Sequence, residues 1–262
     1  MLQRFETELF NLSAECFHCD VMNPRPNSLI YSEGSANFNL FKLTPNAQYI
    51  LSNPMLNLWK RTDIDSNIIK VFELMSNSKY LQTNTSQRIG RSYNLFLMQM
   101  ASTVDLRFTV DALKYATEQK RFTVFKTHPA VGDGTDFPAL WETFKKHRLV
   151  SDYTIMVDGD LQSLIDDADI VYSADSACTF NAMLKGIPVF NYRINEFSEI
   201  VPILDTSKDM PITIIDHEDL LRFLSWYYHK LSIDVNQDSF PQRLQSILEQ
   251  HLAGKPISEI FL

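Results

Sequence analysis

Two hydrophobic patterns alternate along the chain from residue 93 onward. Short runs rich in branched and aromatic residues occur at 93–99 (YNLFLMQ), 122–126 (FTVFK), 153–157 (YTIMV), 169–172 (DIVY), 187–190 (IPVF) and 212–215 (ITII). Each has the length of a buried strand. Between the first five runs, residues 109–119, 137–147, 161–168 and 176–185 space their apolar positions as an amphipathic helix does. Strands alternating with helices predict βαβ units around a parallel sheet with helices on its faces, an α/β fold. Two further helical stretches, 217–230 and 241–252, close the chain.

Local signals sharpen some boundaries. Asp160 stands where a side chain would cap the 161–168 helix, and Lys185-Gly186 ends the 176–185 helix with a basic last turn and a residue free to take a left-handed conformation. The first 90 residues are less regular. Asn, Ser and Pro are scattered through NPRPNS, LTPNAQ and SNPMLN, with short β-type pieces at 29–31 and 49–51. The polar segment 76–91 reads as a connection, which divides the chain into a small N-terminal part, 1–90, and an α/β domain, 91–262.

Composition narrows the function classes. The 262 residues are 45% hydrophobic with 18 Phe and 10 Tyr, enough apolar surface for a packed core. Thirty-two acidic residues against 24 basic ones leave a formal charge of −8, so no global positive field attracts nucleic acid or an anionic membrane. No apolar run approaches the roughly 20 residues that span a bilayer, and acids interrupt the opening MLQRFETELF, so a cytoplasmic location is expected. Cys16, Cys19 and Cys178 are odd in number and lack framework spacing, which fits a reducing compartment. Cys16 and Cys19 form a Cys-x-x-Cys pair that reads either as an ordinary reduced segment or as half of a zinc or redox site.

In a parallel sheet, ligands bind outside the carboxyl ends of the strands, so the loops there are the place to look for chemistry. After FTVFK come Thr127-His128-Pro129-Ala130 and a flexible Val131-Gly132-Asp133-Gly134. His128 can donate a hydrogen bond to a phosphate or sugar oxygen, or it is a structural histidine. Lys126, ending the strand, either adds positive charge or is simply solvated. After DIVY the segment Ser173-Ala174-Asp175-Ser176-Ala177-Cys178-Thr179 puts three hydroxyls around a helix start. It suits an anion, and it equally suits plain capping by Asp175 or Ser176.

In the N-terminal part, Glu33 in Tyr31-Ser32-Glu33-Gly34-Ser35 is either a general base at a glycine turn or an exposed carboxylate. Asp63-Ile64-Asp65 and Asp158-Gly159-Asp160 are Asp-x-Asp triplets, open to cation binding or to turn formation and capping.

KTHPA, followed some forty residues later by LIDDADIVYSADSACTFNAMLKGIPVFNY, resembles the bacterial capsule polysaccharide biosynthesis glycosyltransferases, which include Kdo transferases and sialyltransferases. The likeness lies in a His-Pro after a strand, a Ser/Thr-rich loop after a second strand, and a helix running into Gly186-Ile187-Pro188-Val189. YNLFLMQMASTVDLRF at 93–108 is similar to the family's strand, glutamine and variable loop, which brings in Gln99 and Asp105. Ser32-Glu33-Gly34 resembles its acidic-acidic-glycine motif, with Ser32 in place of the first acid.

The resemblance, from about residue 29 to 190, implies the nucleotide-sugar-binding, Rossmann-like lobe of a two-lobed (GT-B) transferase. It also implies an N-terminal lobe that is reduced, or supplied by a partner chain or a second copy. The implied reaction is an inverting, metal-independent transfer from a CMP- or UDP-linked donor, with no resident cofactor. Glu33 would be the base, with Asp105 next in line. His128, Pro129, Lys126, Ser173, Ser176 and Thr179 would hold the donor, with Gln99 nearby. The acceptor, a saccharide or another hydroxyl including one on nucleic acid, stays open. A non-catalytic transferase-like module and a nucleotide-sugar epimerase are the rival readings.

Overall fold

The computed structural model describes residues 29–35, 40–45, 57–79, 89–98, 106–118, 122–126, 137–146, 148, 150, 153–157, 160–174, 176, 178–234 and 236–261. The chain divides into two compact units, one formed by Met1–Met75 with His217–Leu262 and the other by Ser76–Asp216. The division differs from the sequence expectation of 1–90 and 91–262, because the last 46 residues cluster with the N-terminal segment and not with the α/β part.

The first unit is built on a three-stranded antiparallel sheet. Strands β1 (Leu29–Ser35) and β2 (Leu40–Pro45) pair with each other, and β2 also pairs with a short strand from near the end of the chain. A 3-10 turn (Leu58–Arg61) and helix α1 (Ile68–Lys79) follow. The helix lies where the sequence reading had an irregular segment running into a connection; its buried Ile68 and Phe72 are four apart, one helical turn.

The second unit contains the five parallel strands β3 (Tyr93–Leu97), β4 (Thr123–Lys126), β5 (Thr154–Val157), β6 (Ala168–Ser173) and β7 (Val189–Asn191). Helices α2 (Leu106–Glu118), α3 (Phe137–Lys146), α4 (Leu161–Asp166) and α5 (Cys178–Leu184) connect them in turn. The spatial order is β5-β4-β3-β6-β7. Relative to the first strand of the sheet this is 3-2-1-4-5, the arrangement of a doubly wound α/β sheet.

Side-chain alternation assigns the two faces. Phe96, Phe125, Ile170, Tyr172, Phe190 and Tyr192 point to one side and form a core with Ala112, Leu113 and Ala116 of α2 and Trp141 and Phe144 of α3. Tyr93, Leu95, Val171 and Ser173 point to the other side, where the Tyr93 hydroxyl donates to the Leu164 carbonyl of α4 at 2.7 Å. Burial there pushes the Tyr93 phenol well above its usual pKa, and the nearby carboxylates of Asp167 and Asp166 add to the effect.

Helix α4 is capped as the sequence implies, with the Asp160 carboxylate accepting from the Ser163 amide at 2.9 Å. Helix α5 ends in a Schellman motif. Gly186 has φ +68°, its N–H reaches the Met183 carbonyl at 3.0 Å, and the Ile187 N–H reaches the Ala182 carbonyl at 3.0 Å.

After β7 the expected strand at 212–215 does not form. Ile212 and Ile214 are exposed, and the run pairs with no strand among the described residues. The chain then returns to the first unit with α6 (His217–Trp226), a π-helical turn (Tyr227–Leu231), β8 (Ser232–Asp234), α7 (Phe240–Leu252) and α8 (Ile257–Ile260). Here β8 completes the antiparallel sheet by pairing Phe41 with Ile233. Trp226 donates its indole N–H to the Phe261 carbonyl at 3.0 Å, and Trp59 meets Phe223 edge-on at 6.4 Å, so a buried aromatic core holds this unit together.

Candidate functional site

A doubly wound sheet opens a crevice where consecutive connections leave in opposite directions. In this chain β3 leads toward β4 and β6 leads toward β7, on opposite sides, so the switch lies between the carboxyl ends of β3 and β6. The predicted Ser/Thr-rich loop is the one that follows β6. The strand reading is thus accurate enough to put Ser173, Ser176 and Thr179 at the position where such sheets take ligands.

Register extends the site across the sheet. Lys126 is the partner of Leu97, and Ser173 is the partner of Asn191. With Phe96 opposite Tyr172, the next residues Leu97 and Ser173 align, so Lys126, Leu97, Ser173 and Asn191 form one row on one face at the carboxyl edge. Lys126 and Ser173 stand two strands apart, roughly 10 Å between backbones. Lys126 is buried, which overturns the reading of a solvated strand-end lysine.

The hydroxyls divide their tasks. Thr179 donates to the Ser173 hydroxyl at 3.1 Å, and both residues are fully buried. Ser173 keeps its own proton to give. Ser176 accepts from the Cys178 amide at 3.3 Å, and its carbonyl accepts from the Thr179 amide at 3.0 Å, so Ser176 caps the first turn of α5. Capping and an outward hydroxyl proton are compatible, because a serine oxygen that accepts one bond still has its hydrogen to donate.

The segment after β7 completes the edge, and no motif had marked it. The Tyr192 hydroxyl donates to the Leu97 carbonyl at 2.8 Å, and the Tyr192 amide donates to the Ser173 carbonyl at 2.9 Å. Asn195 donates its side-chain amide to the Ala174 carbonyl, the first residue past β6. The Asn191 side-chain amide in turn donates to Asn195 at 3.2 Å, while the Asn191 side-chain oxygen is buried with no hydrogen-bond partner. An alternation of aromatic and polar residues directly after a buried strand was the only signal the sequence offered.

His128, Pro129, Gln99 and Asp105 lie outside the described residues, as do Asp158 and the Cys16-Cys19 pair. Glu33 belongs to the first unit and sits within β1, between Ser32 paired with Lys42 and Ser35 paired with Leu40, where the register shifts. The glycine turn expected at Gly34 is therefore an irregularity inside a strand. Of the Asp-x-Asp residues, Asp160 is engaged as a cap and Asp65 in an ion pair with His229 at 2.9 Å. The bond from the Asn67 amide, followed by that from His229, holds the Asp65 carboxyl below its usual pKa. Among the described residues no group of three or more His, Cys, Asp or Glu is gathered as a metal site, and no helix is long and apolar enough to cross a membrane.

No protein-family model and no curated protein matches the chain. Among solved structures it is similar to the Thermosulfurimonas dismutans KpsC β-Kdo 2,7 transferase, at 15% identity and a TM-score of 0.46 over 85% of this chain and 80% of that one. It is also similar to the β-Kdo 2,4 transferase of the same organism's KpsC, at 12% identity and a TM-score of 0.44, covering 71% of this chain and 63% of that one. A third likeness is to the Methanocaldococcus jannaschii UDP-GlcNAc 2-epimerase, solved with UDP-GlcNAc and UDP. It has 14% identity and a TM-score of 0.40, and 71% of this chain covers 54% of that one. At these identities none of them transfers a residue role to this chain.

Proposed function

We propose that the chain holds a nucleotide-activated sugar at the carboxyl ends of β3, β4 and β6 and transfers the sugar, with inversion, to a hydroxyl acceptor. The observation that carries this reading is the Ser173–Thr179 hydroxyl pair at the switch point of a doubly wound sheet, in a chain whose His-Pro and Ser/Thr-rich segments follow the two strands that flank β3, in the chain order of the glycosyltransferases it resembles. In such a reaction the donor's phosphate takes up negative charge as the sugar leaves. Directed hydrogen bonds in a site shielded from water stabilise that charge.

Ser173, Ser176 and His128 supply the hydrogen bonds in this scheme, Thr179 orients Ser173, and Lys126 adds positive charge along the same row. Hydrogen bonds and a lysine take the place of a cation at the leaving group, so the scheme is metal-independent. Glu33 removes the acceptor's proton as general base. Three cysteines without framework spacing support a reducing compartment such as the cytoplasm for this reaction.

One observation favours a second reading, a transferase-like binding module without turnover. Ser173 and Thr179 are fully buried and bonded to each other, an arrangement that serves the fold whether or not a ligand binds. Thermal unfolding of wild type and His128→Ala with CMP, UDP and a panel of their sugar conjugates tests donor binding, because a ligand specific to the native state raises its apparent stability. Stabilisation by a conjugate in wild type, much reduced in His128→Ala, supports a donor site. Absence of stabilisation by every nucleotide sinks both readings, and binding with no sugar release or transfer to any hydroxyl acceptor selects the module.

A further inference from the structure

We infer that Asn195 is a positioning residue, which fixes the loop after β6 in the shape that presents Ser173 and Ser176 to the donor. Its effect on the donor rests on the reading above, whereas its effect on the loop does not. The inference comes from the path of the chain after β7. From Asn191 the backbone turns back along the carboxyl edge, and its residues bind the ends of the neighbouring strands in succession. Tyr192 reaches Ser173 through its amide and Leu97 through its hydroxyl, and its ring stacks on Phe96 with centroids 5.1 Å apart.

Asn195 then makes the contact to the loop itself. Its side-chain nitrogen donates to the Ala174 carbonyl, while its side-chain oxygen accepts from the Phe197 amide at 2.9 Å and from Asn191 at 3.2 Å. Its backbone amide donates to the Ser198 hydroxyl at 3.2 Å, closing a capping box on the 3-10 turn Glu196–Glu199. The turn is anchored in its own right, since Phe197 packs edge-on against Phe180 of α5 at 4.8 Å. One buried amide thus joins the loop after β6 to a turn already fastened to α5.

An amide suits the position. On one side chain Asn195 offers an N–H to the Ala174 carbonyl and an oxygen that accepts from both Phe197 and Asn191, and Gln is a methylene longer. A carbonyl left without its partner in a buried loop is a strong reason for the loop to change shape. Holding the loop before the ligand arrives removes an ordering cost that binding would otherwise meet.

Asn195→Asp keeps an acceptor for Phe197 and Asn191 and replaces the donor to Ala174 with a carboxylate oxygen, whereas Ser198→Ala loosens the same turn without touching the loop. Asn195→Ser keeps an acceptor that caps the turn and shortens the side chain so that it no longer spans to Ala174. Hydrogen exchange is followed by mass spectrometry on the full chain for all four proteins, with calorimetric titration of CMP and UDP alongside. In Asn195→Asp we expect exchange across residues 173–179 to quicken by roughly tenfold, exchange in α2 to stay as in wild type, and the affinity of whichever nucleotide binds wild type to drop by a similar factor.

Ser198→Ala leaves the 173–179 exchange near the wild-type rate. Unchanged exchange over 173–179 in Asn195→Asp overturns the inference, as does an equal change in Ser198→Ala. If wild type binds neither nucleotide, the donor-site reading falls while the exchange data still decide the role of Asn195. Should Asn195→Asp fail to fold, Asn195→Ser decides by the same readout: quicker exchange over 173–179 supports the clamp, and wild-type exchange overturns it.

Discussion

Thr179 gives its hydroxyl hydrogen to Ser173 across 3.1 Å, from the first turn of α5 to the last residue of β6, with both side chains fully buried. Two hydroxyls joined by one bond leave the pair one further hydrogen to give, and the proposed donor site uses it. Thr179→Val, which preserves shape, should cost about 1 kcal/mol of stability, the net value of a buried hydrogen bond. Ser173→Ala should show a similar loss and in addition weaken donor binding by roughly 1.5–3 kcal/mol, the value of a hydrogen bond to a charged group. Denaturant unfolding and calorimetric titration of the two variants separate the effects. Equal donor affinity in wild type and Ser173→Ala would mark the pair as purely structural.

Glu33 lies in the unit that does not carry the hydroxyl loop, and it decides between enzyme and module. In a protein first found to transfer sugar, Glu33→Gln should leave donor affinity in place and reduce turnover by about 10²–10⁴, the usual contribution of a general base. Steady-state rates with donor affinity measured alongside make the comparison. Full activity would remove Glu33 from the role and pass it to Asp105.

At Gly186 the expected loss is conformational. A methyl group there would meet nothing within 4 Å, yet φ is +68°, so Gly186→Ala should destabilise by roughly 1–2 kcal/mol through left-handed strain alone. Equilibrium unfolding in urea measures it. A neutral substitution would mean that the turn after α5 rearranges at no cost.

His251, in the last turn of α7, has its pKa lowered from the ordinary 6.5 by burial, which disfavours the charged ring. The unfolded chain then takes up its proton first as pH falls. Stability from this group is complete above 6.5 and is lost as pH drops from there through the lower folded value. His251→Gln should flatten the slope of Tm between about pH 7 and 5 relative to wild type. Parallel slopes in the two proteins would refute the assignment.

The strands of the parallel sheet were legible because a strand covered on both faces is apolar throughout, so its local pattern suffices. The end of α5 was legible for a similar reason, since Lys185-Gly186 is a local stop signal. Residues 212–215 have the same local character as a strand and do not form one, because a ladder needs a neighbour and no local pattern encodes whether one is there. The reverse holds at Ser232–Asp234, a three-residue strand made only by its pairing with β2. In the candidate site, Ser173, Ser176 and Thr179 could be placed through the strand before them. Tyr192 and Asn195 were not, because their importance lies in bonds to Leu97 and Ala174, distant in sequence, and an Asn or Tyr after a strand is common. Lys126 stayed open between adding charge and being solvated, because lysine is ordinarily solvated, and the row it shares with Ser173 appears only with the register.

The pairing of β2 with β8 also sets an order of events during synthesis. A hairpin of two strands is marginal in water, and β2 finds its second neighbour only when residues 232–234 have left the ribosome. By then the whole of residues 76–216 has emerged, and it is a contiguous stretch able to collapse on its own core. The hairpin is therefore made before the parallel sheet and completed after it, and a nascent chain arrested between β2 and β8 presents that hairpin, with an unsatisfied strand edge, to whatever chaperone is nearest.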